Sequence, residues 1–185
     1  MSENLKENKT LQYIYHHKAK VQKWLNLFAT VLNKRGLNHD NSKLESPEYQ
    51  GWVKMDNEPR YDYGTKEYDD KIERYKWLLK EHYSKNRHHP EYWDLHKEDT
   101  SKDLIDIIEM LCDWLGYRDQ ISYKEASDLV KKQTERYGFS EELSDLILNT
   151  LTNNFIDFGY ISKYNKEFRK VKFETSSANL LDLQA

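Results

Sequence analysis

The chain has 185 residues, enough for one domain with a buried core and short for two. Lys and Arg number 29 against 32 Asp and Glu, so there is neither the basic excess of a nucleic-acid binder nor an acidic tail, and fourteen Tyr with five Trp argue against disorder. One cysteine, Cys112, excludes an intrachain disulfide, and no segment has the apolar length of a leader or a membrane span, which predicts a cytoplasmic protein, in a host cell's cytoplasm if phage-encoded.

The apolar periods are helical throughout, and no alternating strand pattern of useful length occurs. A first long helix is expected from about Thr10 to Gly36, its stripe Ile14, His17, Val21, Trp24, Phe28 and Val31 facing inward. Residues 37–64 read as irregular, with a short helical stretch at HDNSK and a new start at Ser46-Pro47. Thr65 caps a second long helix with the stripe Tyr68, Ile72, Tyr75, Leu79, His82, which Asn86 to Pro90 ends. Thr100 and Asp103 precede a third helix, LIDIIEMLCDWLG; Ser122 with Glu125 opens a fourth, closed at Gly138; Ser140 opens a fifth, running to about Asn154. The expectation is an all-α single domain over 10–158, with a tail over 1–9 and a basic, aromatic extension and tail over 159–185.

Candidate chemistry follows the histidines. His17 and His82 sit on the stripes of long helices, where a buried imidazole most often needs only a hydrogen-bond partner. His39-Asp40 lies in the polar stretch HDNSK, where both side chains can reach a metal at the side of the turn, and Lys43 shares their side with an ammonium suited to phosphate. The plain alternative there is a polar turn with local Asp–Lys pairing. In NRHHPEYW the break at Pro90 turns His88 and His89 back toward the face of His82; a loop packed by Tyr92 and Trp93 is the competing reading. The third helix carries Asp106, Glu109 and Asp113 in one narrow acidic stripe. Imidazole and carboxylate without thiolate suit Mn, Fe, Zn, Co or Mg better than a cysteine-rich structural zinc site.

With these residues laid out, the stretches HDNSKLE, YGTKEYDDKIERYKWLLKEHYSKNRHHPEYW, DLIDIIEMLCDW and SEELSDLILNTL resemble an uncharacterised family of small phage and bacterial proteins over about residues 10–155. More distantly, the order His, His-Asp, His, His-His, Asp is similar to the HD-domain metal-dependent phosphohydrolases. Ser42 stands where the cyclic-di-nucleotide branch has glycine, Lys43 matches its lysine, and Pro90 separates His-His from Glu91. That resemblance implies an HD-like helical bundle. His17, His39, Asp40 and Asp113 would hold one divalent metal, Asp40 bridging to a second held by His82 with His88, His89 or both. Lys43 would contact phosphate, and Glu45, Glu91 and Glu109 would serve as supporting or proton-transfer groups.

The expected activity is phosphohydrolysis of a nucleotide, cyclic nucleotide or other small phosphorylated molecule. An HNH-like nuclease, or a non-catalytic metal-stapled module binding a host or phage protein, are the alternatives. No membrane partner is expected, a nucleic acid is less favoured, and the sequence leaves the oligomeric state open.

Overall fold

A computed structural model describes residues 2–96, 102–118 and 120–156, and among them every regular element is helical, as the periodicity predicts. In chain order these are α1 (Ser2–Asn38), a 3-10 turn (Asn41–Leu44), α2 (Glu48–Asp56), α3 (Lys66–Arg74), α4 (Lys76–Lys85), α5 (Pro90–Leu95), α6 (Leu104–Leu115), α7 (Tyr123–Tyr137) and α8 (Glu141–Leu151), followed by a π-helical turn (Thr152–Ile156). No helix among the described residues is long and apolar enough to cross a membrane. Thr100 and the extension over 159–185 lie outside the described residues.

The chain forms two compact units, the first running to Met110 and the second starting at Leu111, where the sequence suggests a single domain. In the first, α2 packs on α4 through Gly51, where an added Cβ would stand 2.6 Å from Leu78 Cδ1 and 2.8 Å from Trp77 Cη2. Only glycine lets the two helices approach so closely. Leu78, Tyr75, Pro90 and Met110 are buried apolar residues of this unit. In the second, Ala126, Leu129 and Val130 on α7 meet Ile147 and Leu151 on α8, the i, i+3, i+4 spacing of two buried helix faces.

The caps read from sequence are in place where they are described. Ser122 and Glu125 form a reciprocal capping box on α7, Gly138 ends it at φ 64°, and Ser140 and Thr65 cap α8 and α3. At α6, Asp103 Oδ1 accepts the Asp106 amide at 2.9 Å.

Three expectations need correction. Gly36 does not stop α1, which continues to Asn38. The second long helix is broken at Tyr75, whose ψ of 14° separates α3 from α4. There Tyr75 donates its hydroxyl to Glu58 at 2.8 Å and Arg74 donates to the same carboxylate at 2.6 Å, tying the break to the loop after α2. The stripe of α1 also does not face inward: every described side chain from residue 8 to 31 is exposed, and Trp24 is 62% exposed.

Candidate metal centre

The first unit gathers its histidines where helices end. α1 stops at Asn38, and Asp40 turns the chain with φ 56° and ψ 20°, a left-handed conformation that costs a non-glycine residue about 1–3 kcal/mol and persists where its surroundings hold it. They do so here. The Lys43 amide bonds the Asp40 carbonyl at 2.9 Å, and Lys43 Nζ lies 2.7 Å from Asp40 Oδ2.

The second gathering point is the end of α4. Asn86 leaves the helix and donates to the His82 carbonyl and to Ser42 Oγ, both at 2.8 Å, joining this end to the 3-10 turn. Pro90 is the first residue of α5, and Trp93 Nε1 donates back to the Arg87 carbonyl at 2.8 Å. A continued helix would carry His89 about 10 Å along the axis from His82. The break instead brings their rings to 4.7 Å.

Each of three imidazoles has one nitrogen on a glutamate and the other toward Asp40. His82 Nδ1 donates to Glu48 Oε1 at 2.6 Å, while its Nε2 lies 3.3 Å from Asp40 Oδ1 and 2.8 Å from His89 Nε2. His88 Nδ1 lies 3.4 Å from Glu109 Oε1 and its Nε2 3.5 Å from Asp40 Oδ1. His39 Nδ1 lies 3.1 Å from the same Glu109 oxygen and its Nε2 3.5 Å from Asp40 Oδ2. A carboxylate on Nδ1 favours the tautomer whose Nε2 carries a lone pair, the form that binds metals.

The electrostatics are those of a buried cluster kept ionised. His82, His88 and Glu48 are buried. Burial opposes ionisation of Asp40, but the Lys43 ammonium, with His82 and His39, holds its carboxyl below the usual range. Burial likewise opposes Glu109, and hydrogen bonds from His39 and His88 with the charge of Arg35 hold it well below the carboxylate norm. Burial lowers the His82 pKa, against the raising influence of Asp40 and Glu48, so its neutral form is favoured.

Asp40, His82, His88 and His89 each offer a ligand atom, all within 4.8 Å of one another. Two ligands each about 2.0–2.2 Å from one ion stand roughly 3–3.5 Å apart. The contacts of Asp40 Oδ1 with His82 Nε2 and His88 Nε2 have that separation. Asp40 Oδ1 and His88 Nε2 are moreover both buried and without a hydrogen-bond partner. A lone pair facing a carboxylate oxygen at this range is repulsive until a cation lies between them. The donor set therefore fits a divalent cation.

His17, Glu45 and Glu91 stand outside the group of metal-capable donors. His17 is exposed and stacks on Tyr13 with ring centroids 6.4 Å apart. It shares the unbroken α1, so the run to Asn38 sets it roughly 30 Å from the His39 turn at 1.5 Å per residue. The structure does not bring it to the cluster. Glu45 is exposed, and Glu91 is half-buried in the first turn of α5. Asp113 belongs to the second unit, half-buried beside a pocket with Trp114, Tyr117 and Lys132. Asp106 is a structural clamp: fully buried, it accepts two hydrogen bonds from Arg87, at 3.2 and 2.7 Å, and another from Arg35.

Glu48, Asn86, Arg35 and Arg87 escape the sequence reading. For Glu48 a signal exists: it opens α2 directly after Ser46-Pro47, four residues before Trp52, whose indole it accepts at 3.0 Å. The arginines carry no motif that separates them from surface charges.

No curated protein and no solved structure matches the chain. Residues 6–156, which include the whole cluster, match a family described as a family of unknown function (DUF5662), and the chain belongs to that family.

Proposed function

We propose that the first unit holds a divalent cation on Asp40, His82, His88 and His89 and uses it to hydrolyse a phosphate ester of a nucleotide, cyclic nucleotide or other small phosphorylated molecule. The observation that carries the reading is the buried, unpartnered pair Asp40 Oδ1 and His88 Nε2, 3.5 Å apart. The nitrogen-rich donor set favours Fe, Zn, Co or Mn over Mg. A cation held there would acidify a water molecule and stabilise negative charge on phosphoryl oxygens.

The chain's own residues supply the rest. Glu48 and Glu109 fix the imidazole tautomers. His39 faces the second oxygen of Asp40, and Lys43 holds its ammonium beside that oxygen, 4.8 Å from the Trp52 ring and one-third exposed, where an anionic substrate group can displace the contact. The resemblance to HD-domain enzymes bears on this reading through the order His-Asp, His, His-His, while His17 stands apart. The hairpin that an HNH site needs is not found among the described residues.

A second reading has its own support. The donors come from the turn after α1, from α4 and from the loop before α5, so a cation would clip three segments as a structural staple. Elemental analysis of fresh protein, then a screen of phosphomonoesters, nucleotides and cyclic nucleotides with Mn, Co, Zn or Fe(II), separates the two. Stoichiometric metal with turnover supports hydrolysis. Stoichiometric metal without turnover across the panel supports the staple, and protein that binds none of these ions refutes both.

A further inference from the structure

We propose that the exposed apolar edge of α1 is a self-association surface, on which α1 of a second copy of this chain packs as a coiled coil. The inference rests on spacing and exposure, independently of the metal centre. Leu11, Ile14, Lys18, Val21, Leu25, Phe28 and Leu32 follow one another at alternating steps of three and four, the 3.5-residue period of a helix–helix seam. Six of the seven are apolar, and Lys18 is the one polar interruption, of the kind that sets register at some cost in stability. All but Leu32, which is half-buried, are exposed.

A 37-residue helix with this edge exposed has, among the described residues, no apolar packing to stabilise it over that stretch. The period indicates what covers it. A strict seven-residue repeat keeps its seam against another helix, whereas the face of a globular helix follows 3.6 residues and drifts off such a line. The length indicates which helix. The seam from Leu11 to Leu32 is roughly 33 Å long, and the longest other helix among the described residues, α7, has 15 residues, about 22 Å. A second α1 matches in length and in character, as an interface with two-fold symmetry requires.

The area is sufficient. The exposed apolar residues of the seam with the flanking Tyr15, Trp24 and Val31 are 43–65% exposed. About half of the roughly 150–250 Å² of a large aromatic side chain for Tyr15, Trp24 and Phe28, with the five aliphatic side chains at the low end of that range, gives no more than about 600–750 Å² per helix. That is close to the ~800 Å² per partner of a standard stable interface.

The test is the solution mass of the full chain by light scattering across a micromolar concentration series, for wild type, Leu25→Glu and Lys18→Leu. Wild type should run at twice the 22.4 kDa chain mass. Leu25→Glu should run as a monomer with lower far-ultraviolet helicity, because α1 then loses the packing that covers its edge, whereas Leu25 itself, 57% exposed, supports no core within the chain. Lys18→Leu should lower the dimer dissociation constant at least tenfold. A wild-type monomer would overturn the proposal and leave the edge to another segment of this chain or to a different protein. A Leu25→Glu dimer, or no tightening by Lys18→Leu, would overturn it as well, by placing the contact elsewhere.

Discussion

Glu48→Gln tests whether the buried glutamate at the start of α2 serves the metal or only the fold. Glu48 is fully buried and takes the His82 Nδ1 proton at 2.6 Å and the Trp52 indole at 3.0 Å. Glutamine keeps the volume and one acceptor oxygen but removes the charge that makes His82 a stronger ligand. Loss of such an outer partner costs about 10–100-fold in metal affinity. At metal fixed near 100 times the wild-type dissociation constant, binding stabilises the fold by about 2.7 kcal/mol, and the weakened site retains roughly 0.4–1.4 kcal/mol. The difference, on the order of 1.3–2.3 kcal/mol, corresponds to a melting shift of roughly 3–9 °C for a chain of this size. The assay is thermal unfolding of both proteins with the metal and with excess chelator. The variant should melt lower only with metal present, and a competition titration should show the affinity loss directly. Equal melting differences with and without metal would falsify the role given to Glu48, since its effect would then belong to packing and the Trp52 contact alone.

Further outcomes concern the neighbours of that site. Asp40→Ala should abolish stoichiometric metal on elemental analysis, because Asp40 Oδ1 faces both His82 and His88. Lys43→Ala should keep the metal and lower kcat/KM roughly ten- to a hundredfold, the worth of a charge-assisted contact of about 1.5–3 kcal/mol; loss of metal, or unchanged turnover, would contradict its assignment to substrate. His17→Ala should leave metal affinity within twofold of wild type, and a larger change would restore the HD-like ligand set. Gly51→Ala should destabilise the first unit by about 1–3 kcal/mol in urea titration, since its new methyl meets the fully buried Leu78 side chain.

Local rules made much of the fold legible. Ser122 with Glu125, Ser140, Thr65 and Gly138 each act on the backbone within four residues, so their identity alone is informative. What resisted reading was set by contacts distant in sequence. Tyr75 continues the apolar stripe of its helix, and only Glu58, seventeen residues earlier, marks the break there. The stripe of α1 has correct helical spacing, yet spacing cannot say whether a face meets the chain's own core. The same limit separates the site residues. His39, Asp40, His82, His88 and His89 flank helix ends, where a Pro, an Asn or a polar run betrays the turn. Glu48, Arg35 and Arg87 sit inside or beside ordinary helical text, and their roles depend on partners 34, 71 and 19 residues away.

The placement of the donors at helix ends has a physical cause. Side chains along one regular helix meet at i, i+3 and i+4 and offer at most two ligands to one ion before the third is a further turn away. Ending α4 at Asn86 and opening α5 at Pro90 compresses His82, His88 and His89 into one cluster from a single short segment. That arrangement needs an anchor, since a loop holding imidazoles has little of its own to fix it. Arg87 supplies the anchor: lying between the break and His88, it is clamped to the buried Asp106 by two hydrogen bonds, and Asp106 is also held by Arg35 from the end of α1. One carboxylate thereby ties the loop bearing His88 and His89 to the helix end bearing His39 and Asp40. The acidic stripe of α6 accordingly divides its work, with Asp106 positioning the two backbones and Glu109, one turn on, orienting the imidazoles of His39 and His88 that those backbones deliver.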